Sequence, residues 1–194
     1  MTIRRRVLKA PHRSLLSRWN EKAPWHSRQL EIPRGDGRFR SLRVPCEALM
    51  RDLRRLYREV LAPLDRGEWS YCRGGRGAAN AIQAHRGHPY LLHRDISDFF
   101  PSISTDRVRV ALEAFGFKSR DAKLIASVCT CDDQLPQGAP TSVALGNLAL
   151  RRLDSRIGVL SRKNGLTYTR SVDDIAVSGG KRLEEWIGPL IEGI

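Results

Sequence analysis

A chain of 194 residues with 41% hydrophobic side chains holds enough apolar material for one sizeable core or two small lobes. Its 34 Lys and Arg against 21 Asp and Glu leave a net charge of +13, which favours nucleic acid, ahead of an acidic membrane surface, through counterion release. Arginine far outnumbers lysine, so biased genomic composition stands as a second explanation of the charge. No apolar run could span a bilayer, and Arg4-Arg5-Arg6-Val7-Leu8-Lys9 is too polar for a secretory signal, so the expected location is cytoplasmic.

Taken in order, the chain opens with a basic amphipathic helix to about Pro24, with Leu8, Leu15, Leu16 and Trp19 on its apolar side. Residues 28–44 alternate around Gly35-Asp36-Gly37, which predicts a β-hairpin. After Pro45, Leu49, Leu53, Leu56, Tyr57 and Val60 recur at helical spacing, and Pro63 follows the helix end. A Gly/Arg loop covers residues 73–77. Residues 90–96 read as a strand, 104–115 as a helix with Val108, Ala111, Leu112 and Phe115 on one face, and 119–128 as a second helix. Beyond Pro136-Gln137-Gly138 a long helix carries Leu145, Leu148, Ala149, Leu153, Ile157 and Leu160 inward. Residues 166–172 and 175–178 form two strands joined at Asp173-Asp174, and one more helix begins with Leu183, Trp186, Ile187 and Leu190. The order predicts an α+β fold, an antiparallel sheet with helices packed on it. Cys46, Cys72, Cys129 and Cys131 have the spacing of neither a zinc site nor a disulfide framework, and read as small buried or half-buried residues.

Three stretches carry chemistry. Asp95 ends an apolar strand, in Leu91-Leu92-His93-Arg94-Asp95-Ile96, where a carboxylate would emerge at the sheet edge. A lone aspartate there is more simply a turn cap, but Asp173-Asp174 supplies a second acidic site. Adjacent carboxylates repel unless a cation sits between them, and with Asp95 they make a hard-oxygen donor set suited to Mg²⁺. Two such ions could activate a hydroxyl nucleophile and steady a leaving pyrophosphate. In Leu135-Pro136-Gln137-Gly138-Ala139-Pro140-Thr141-Ser142, Gly138 permits close backbone approach and Pro140-Thr141 suits a helix start that favours an anion or nucleotide.

In this order, Asp95-x-x-x-Phe99-Phe100, Gln137-Gly138-x-Pro140-x-Ser142 and Val172-Asp173-Asp174 resemble motifs A, B and C of reverse transcriptases, most closely the bacterial retron and group II intron branch. Ile32-Pro33-Arg34-x-Asp36-Gly37 with Arg40 resembles the fingers hairpin. Arg73-Gly74-Gly75-Arg76 and Asn80-Ala81…His85 resemble the segment before motif A, the last with an interval one residue longer than the family's. The resemblance covers roughly residues 25–178. It implies a right-hand polymerase fold: a basic N-terminal helical segment (1–24), a fingers-like region (25–89), and a palm-like region (90–194) that stops before the rest of the palm and the thumb. It implies that Asp95, Asp173 and Asp174 hold two Mg²⁺ ions, with Mn²⁺ as a substitute. Phe100 would lie beneath the sugar and exclude a 2′-hydroxyl, Gln137 would contact the incoming nucleotide, and Arg34 and Arg40 would grip its triphosphate. Phe99 is expected in the core.

The implied activity is RNA-directed DNA polymerisation on an RNA template and primer, a structured noncoding RNA among the candidates, with dNTPs as substrates. A protein partner or self-association would supply what a short chain lacks. Ser171 stands where the family carries a tyrosine against the template–primer, which puts primer contact in doubt. The alternatives are a catalytically silent RNA-binding remnant and an RNA-directed RNA polymerase. The motif B stretch and Phe100 speak against the latter. Service in anti-phage defence or in intron mobility is not separated by these residues.

Overall fold

The computed structural model describes residues 9–19, 27–33, 35, 37, 39–64, 68–70, 77–180 and 183. The chain divides into two compact units, each assembled from two separated segments: Met1–Asp65 with Phe100–Ala149, and Arg66–Phe99 with Leu150–Ile194.

In the first unit, helix α1 (Ala10–Ser17) has proline in its first turn, where the missing N–H costs nothing, and buries Leu16. Strands β1 (Ser27–Pro33) and β2 (Phe39–Pro45) form the expected hairpin, with Leu30 opposite Leu42 and Ile32 opposite Arg40. Helix α2 (Glu47–Leu56) buries Leu49, Leu53 and Leu56 and continues into one π-helical turn, Tyr57–Leu61. The wider turn, with Ala62 N–H donating to the Tyr57 carbonyl at 2.8 Å, was not legible from helical spacing. Helix α4 (Thr105–Ala114) is capped by Ser104, whose hydroxyl accepts from Arg107 N–H at 3.2 Å. It packs against α5 (Ser119–Cys129). Arg13 of α1 reaches the buried Asp121 of α5 with Nε and Nη2 at 3.0 and 2.9 Å from Oδ1. Cys129 is buried and its thiol pushed up to about 12 by desolvation. Cys46 and Cys131 are half-buried, and Cys72 lies outside the described residues.

The second unit is built on a three-stranded antiparallel sheet in the order β3 (Tyr90–Asp95), β5 (Asp174–Gly179), β4 (Thr167–Ser171). One face presents Leu92, Ile175, Val177 and Tyr168 to a core that also takes in Ile157 and Leu183, with Trp69, Ile96, Leu153 and Leu166 packed against it. Ile157 and Leu153 come from the long helix α6 (Ser142–Lys163), which backs the sheet as the sequence predicts. Gly158 lets α6 lie against Trp69, since a Cβ there would stand 2.2 Å from the indole. Arg162 lies over the same ring at 4.7 Å. Leu160, read as inward-facing, is instead 40% exposed. It lies off the inward stripe of α6, which runs through Asp154, Ile157, Gly158 and Ser161. The sequence did not foresee α3 (Ala78–Ala84), which packs against β4. Of the helices expected at the two ends of the chain, Leu8, the segment up to Pro24 beyond Trp19, Trp186, Ile187 and Leu190 lie outside the described residues.

Candidate active site

Alternation along a strand places every second residue on one face, so Leu91, His93 and Asp95 face away from the core that holds Leu92. The ladder puts Asp95 directly opposite Asp174, His93 opposite Ala176, and Ser171 opposite Asp174. Directly opposed residues of an antiparallel pair have Cβ atoms about 4.5–5.5 Å apart, so two carboxylates from distant parts of the sequence share one patch of sheet surface. Asp173 lies in the two-residue turn between β4 and β5, and its carbonyl accepts from Ile96 N–H at 3.1 Å, tying the turn to the end of β3. Asp95 and Asp174 are exposed and Asp173 is half-buried. His93 Nε2 stands 3.1 Å from Asp174 Oδ1. Hard carboxylate oxygens in this juxtaposition suit Mg²⁺ in their donor chemistry. Among the described residues, however, no group of three or more His, Cys, Asp and Glu side chains is gathered as it stands into a metal-holding cluster. The backbone brings the three aspartates together, and the side chains are not closed on a common point.

The turn itself is held from beneath. Val172, its first residue, has φ of +60°. Two-residue hairpin turns need a left-handed residue there and favour Gly, Asn or Asp, whereas a β-branched side chain in that region is strained. Arg170, fully buried, donates from Nη1 to the Val172 carbonyl at 2.5 Å. Its Nε and Nη2 bind Asp154 Oδ1 and Oδ2 of α6 at 2.8 and 2.7 Å, and Tyr168 O–H donates to Asp154 Oδ1 at 2.7 Å. Burial and the neighbouring carboxylate raise the Tyr168 phenol well above its ordinary range, which keeps it a donor. The sequence reading missed this network. Its signal was a charged residue at a core-facing position in each of two elements, Arg170 two residues after Tyr168 and Asp154 beside the inward Leu153 and Ile157.

Also unassigned from sequence was the role of His85 at the end of α3. Its Nδ1 and Nε2 bind Ser178 Oγ at 2.6 Å and Thr169 Oγ1 at 2.8 Å, both buried, so one imidazole fastens the helix to two strands. Burial, with a contribution from His88, lowers its pKa below the usual 6.5. An open cleft of about 550 Å³ lies between α3 and the sheet and reaches His93, Ser171 and Asp174.

The remaining expected site residues belong to the first unit. Arg40 is exposed on β2, and Arg34 lies outside the described residues. Phe100 is half-buried in the turns after β3, whereas Phe99 is 3% exposed, as expected of a core aromatic. Gln137 is half-buried, and its carbonyl accepts from Arg43 N–H of β2 at 2.7 Å. Gly138 follows with φ of +109°, and a Cβ there would stand 3.0 Å from the Arg43 carbonyl oxygen. Ser142 Oγ, at the start of α6, donates to the Pro136 carbonyl at 2.6 Å and closes the loop.

Solved telomerases share this architecture. The chain aligns with telomerase from Candida albicans in complex with a fragment of telomeric RNA at a TM-score of 0.56 and 11% identity, over 86% of this chain and 39% of that one. It aligns with apo telomerase from Candida tropicalis at 0.55 and 11% identity, over 92% and 50%. The fold is the fingers–palm arrangement of reverse transcriptases. No family model matches the chain, but sequence relatives place it within that class. It is 33% identical over 167 residues to the retron Mx65 reverse transcriptase of Myxococcus xanthus, covering 76% of this chain. It is 35% identical over 99 residues to the retron Ec86 reverse transcriptase and 38% identical over 104 residues to the retron Ec48 reverse transcriptase, both of Escherichia coli. The chain is a relative of the bacterial retron reverse transcriptases, and it spans 39%, 31% and 26% of the length of these three.

Proposed function

We propose that this chain carries the nucleotidyl-transfer centre of an RNA-directed DNA polymerase, in which Asp95, Asp173 and Asp174 hold two Mg²⁺ ions. The reading rests on one observation, the cross-strand pairing of Asp95 with Asp174 and the placing of Asp173 in the adjoining turn between β4 and β5. Bound there, the ions would lower the pKa of a primer 3′-hydroxyl and neutralise charge on the triphosphate. The aspartates would draw inward on the ions from an exposed sheet face that a primer end can reach. In the fingers-like region, Arg40, with Arg34, would hold the triphosphate. Gln137 would contact the incoming nucleotide from a loop anchored on Arg43, and Phe100 would set the preference for deoxyribose.

A nucleic-acid partner is supported by a second feature. Helices α1 and α2 border an open cleft of about 540 Å³ lined by Trp19, Arg18, Arg51, Arg54, Arg55 and Arg58. Arg18 is paired with Asp52 and Arg55 with Glu59, while Arg51, Arg54 and Arg58 repeat at helical spacing on the exposed side. Such a row suits a phosphate backbone. Among the described residues no helix is long and apolar enough to cross a membrane.

Extension of a DNA primer on an RNA template by the purified chain with Mg²⁺ tests the proposal. Incorporation should require Asp95 and Asp173, each lost on substitution by Asn, and should prefer dNTPs over NTPs. The arginine-lined cleft would serve equally in a second reading, a silent RNA-binding protein. In that case RNA binding would persist, Asp95→Asn would change nothing measurable, and no incorporation would occur.

A further inference from the structure

We propose that the buried Asp154–Arg170 pair is a positioning device for the acidic turn: it holds Val172 in its left-handed conformation and so fixes where Asp173 stands. The reading of Asp173 as a metal-binding residue comes from the proposed function, but the structural part does not depend on it.

The geometry favours this over a simple core brace. A brace between α6 and β4 needs only the two bonds from Arg170 Nε and Nη2 to Asp154. The guanidinium directs its remaining arm to the Val172 carbonyl, two residues along and already past the end of β4. That carbonyl belongs to the residue with φ of +60°, a valine where glycine would serve without strain. Asp154 fixes the guanidinium plane by two-point contact, and Tyr168 O–H occupies Asp154 Oδ1 from the side. Arg170 has little freedom to release the turn, because its side chain is fully buried and its own N–H donates to the Trp69 carbonyl at 2.9 Å. A chain of contacts therefore runs from α6 through Arg170 to the peptide that immediately precedes Asp173. Neither Asp154 nor Arg170 faces the exposed surface that carries the aspartates, so both act through the turn and not on a substrate.

If the pair exists to hold a strained valine, relieving the strain should make it dispensable. The test is a double-mutant cycle of Asp154→Asn with Val172→Gly, read by amide hydrogen exchange over residues 171–175 and by primer extension. Asp154→Asn alone should speed exchange at the turn roughly tenfold, as for one backbone hydrogen bond left unmade, with α4 and α5 unaffected. It should lower kcat with little change in the KM for dNTP. With Val172→Gly also present, both effects should shrink to within about threefold of the Val172→Gly parent, an interaction between sites of the kind such cycles measure. Equal losses on Asp154→Asn with and without Val172→Gly would overturn the proposal and leave the pair a core brace. Should Asp154→Asn fail to fold, the apolar exchange Asp154→Leu with Arg170→Met, a replacement buried pairs often tolerate, takes its place in the cycle with the same outcomes. If the unmodified chain incorporates no nucleotide, the polymerase reading fails, and exchange at the turn still decides the structural claim.

Discussion

Substituting Gly138 by alanine isolates how closely the loop at Gln137 is built against the hairpin. A φ of +109° lies beyond the compact left-handed region, and the added Cβ would sit 3.0 Å from the Arg43 carbonyl oxygen and 3.5 Å from its carbon. That backbone has little room to retreat: Arg43 N–H is bonded to the Gln137 carbonyl at 2.7 Å, and the Arg43 side chain to Asp132 at 2.7 Å. Backbone strain of this kind costs about 1–3 kcal/mol, and loss of the Arg43–Gln137 hydrogen bond about 1 kcal/mol more. A domain of this size loses roughly 2–4 °C of Tm per kcal/mol, so the Tm followed by circular dichroism should fall by roughly 4–16 °C. Gly165→Ala is the control, because φ there is +67° but nothing lies within 4 Å, leaving only the left-handed penalty of about 1–2 kcal/mol. A Gly138→Ala protein as stable as Gly165→Ala would refute the close-approach argument. If the loop also presents Gln137 to a nucleotide, the KM for dNTP should rise in Gly138→Ala and not in Gly165→Ala.

Three further outcomes follow from the same structure. Burial holds His85 neutral, with its folded pKa below 6.5, so acid favours the unfolded chain, which takes up the proton first. Its contribution should be constant above about pH 6.5 and decline as pH falls toward the folded value, and His85→Gln should flatten that part of the Tm–pH profile. Replacing Arg51, Arg54 and Arg58 together by Gln should weaken RNA binding and reduce the slope of log K against log salt by roughly 2 for a single strand; an unchanged slope would exclude this cleft as a phosphate track. Phe100→Val should narrow the preference for dNTPs over NTPs in primer extension, and an unchanged ratio would remove Phe100 from the sugar site.

Much of the architecture was written in local periodicity. The alternating stretches that became β1 and β2 and the leucines of α2 each act within a few residues, and each produced the expected element. Asp95 and Asp174 were singled out as types in motifs, but their pairing register is set by the match between Leu92 and Val177 across the sheet, a long-range contact that spacing cannot express. The buried Asp154–Arg170 pair escaped notice because each half looks like a solvated charge until the other is placed beside it. Helix α3 is short, and much of its hold on the sheet comes from the single side chain of His85, which leaves little apolar pattern to read. Leu160 fits the spacing of Leu153 and Ile157, but the buried stripe of α6 continues through Gly158 and Ser161, and a glycine and a serine carry no apolar mark of the side that faces in.

Both compact units are made of segments that another unit interrupts, and that fact bears on synthesis of the chain. Strand β3, with Asp95 at its tip, leaves the ribosome well before its ladder partner exists, because β5 is made only after α4, α5 and all of α6. Until then β3 has an unsatisfied backbone edge and an apolar side facing nothing. The acidic centre cannot assemble by stages from the N-terminus. The pairing of Asp95 with Asp174 waits until the β4–β5 hairpin docks alongside β3, so nascent chains stalled inside α6 should be the species most dependent on chaperones.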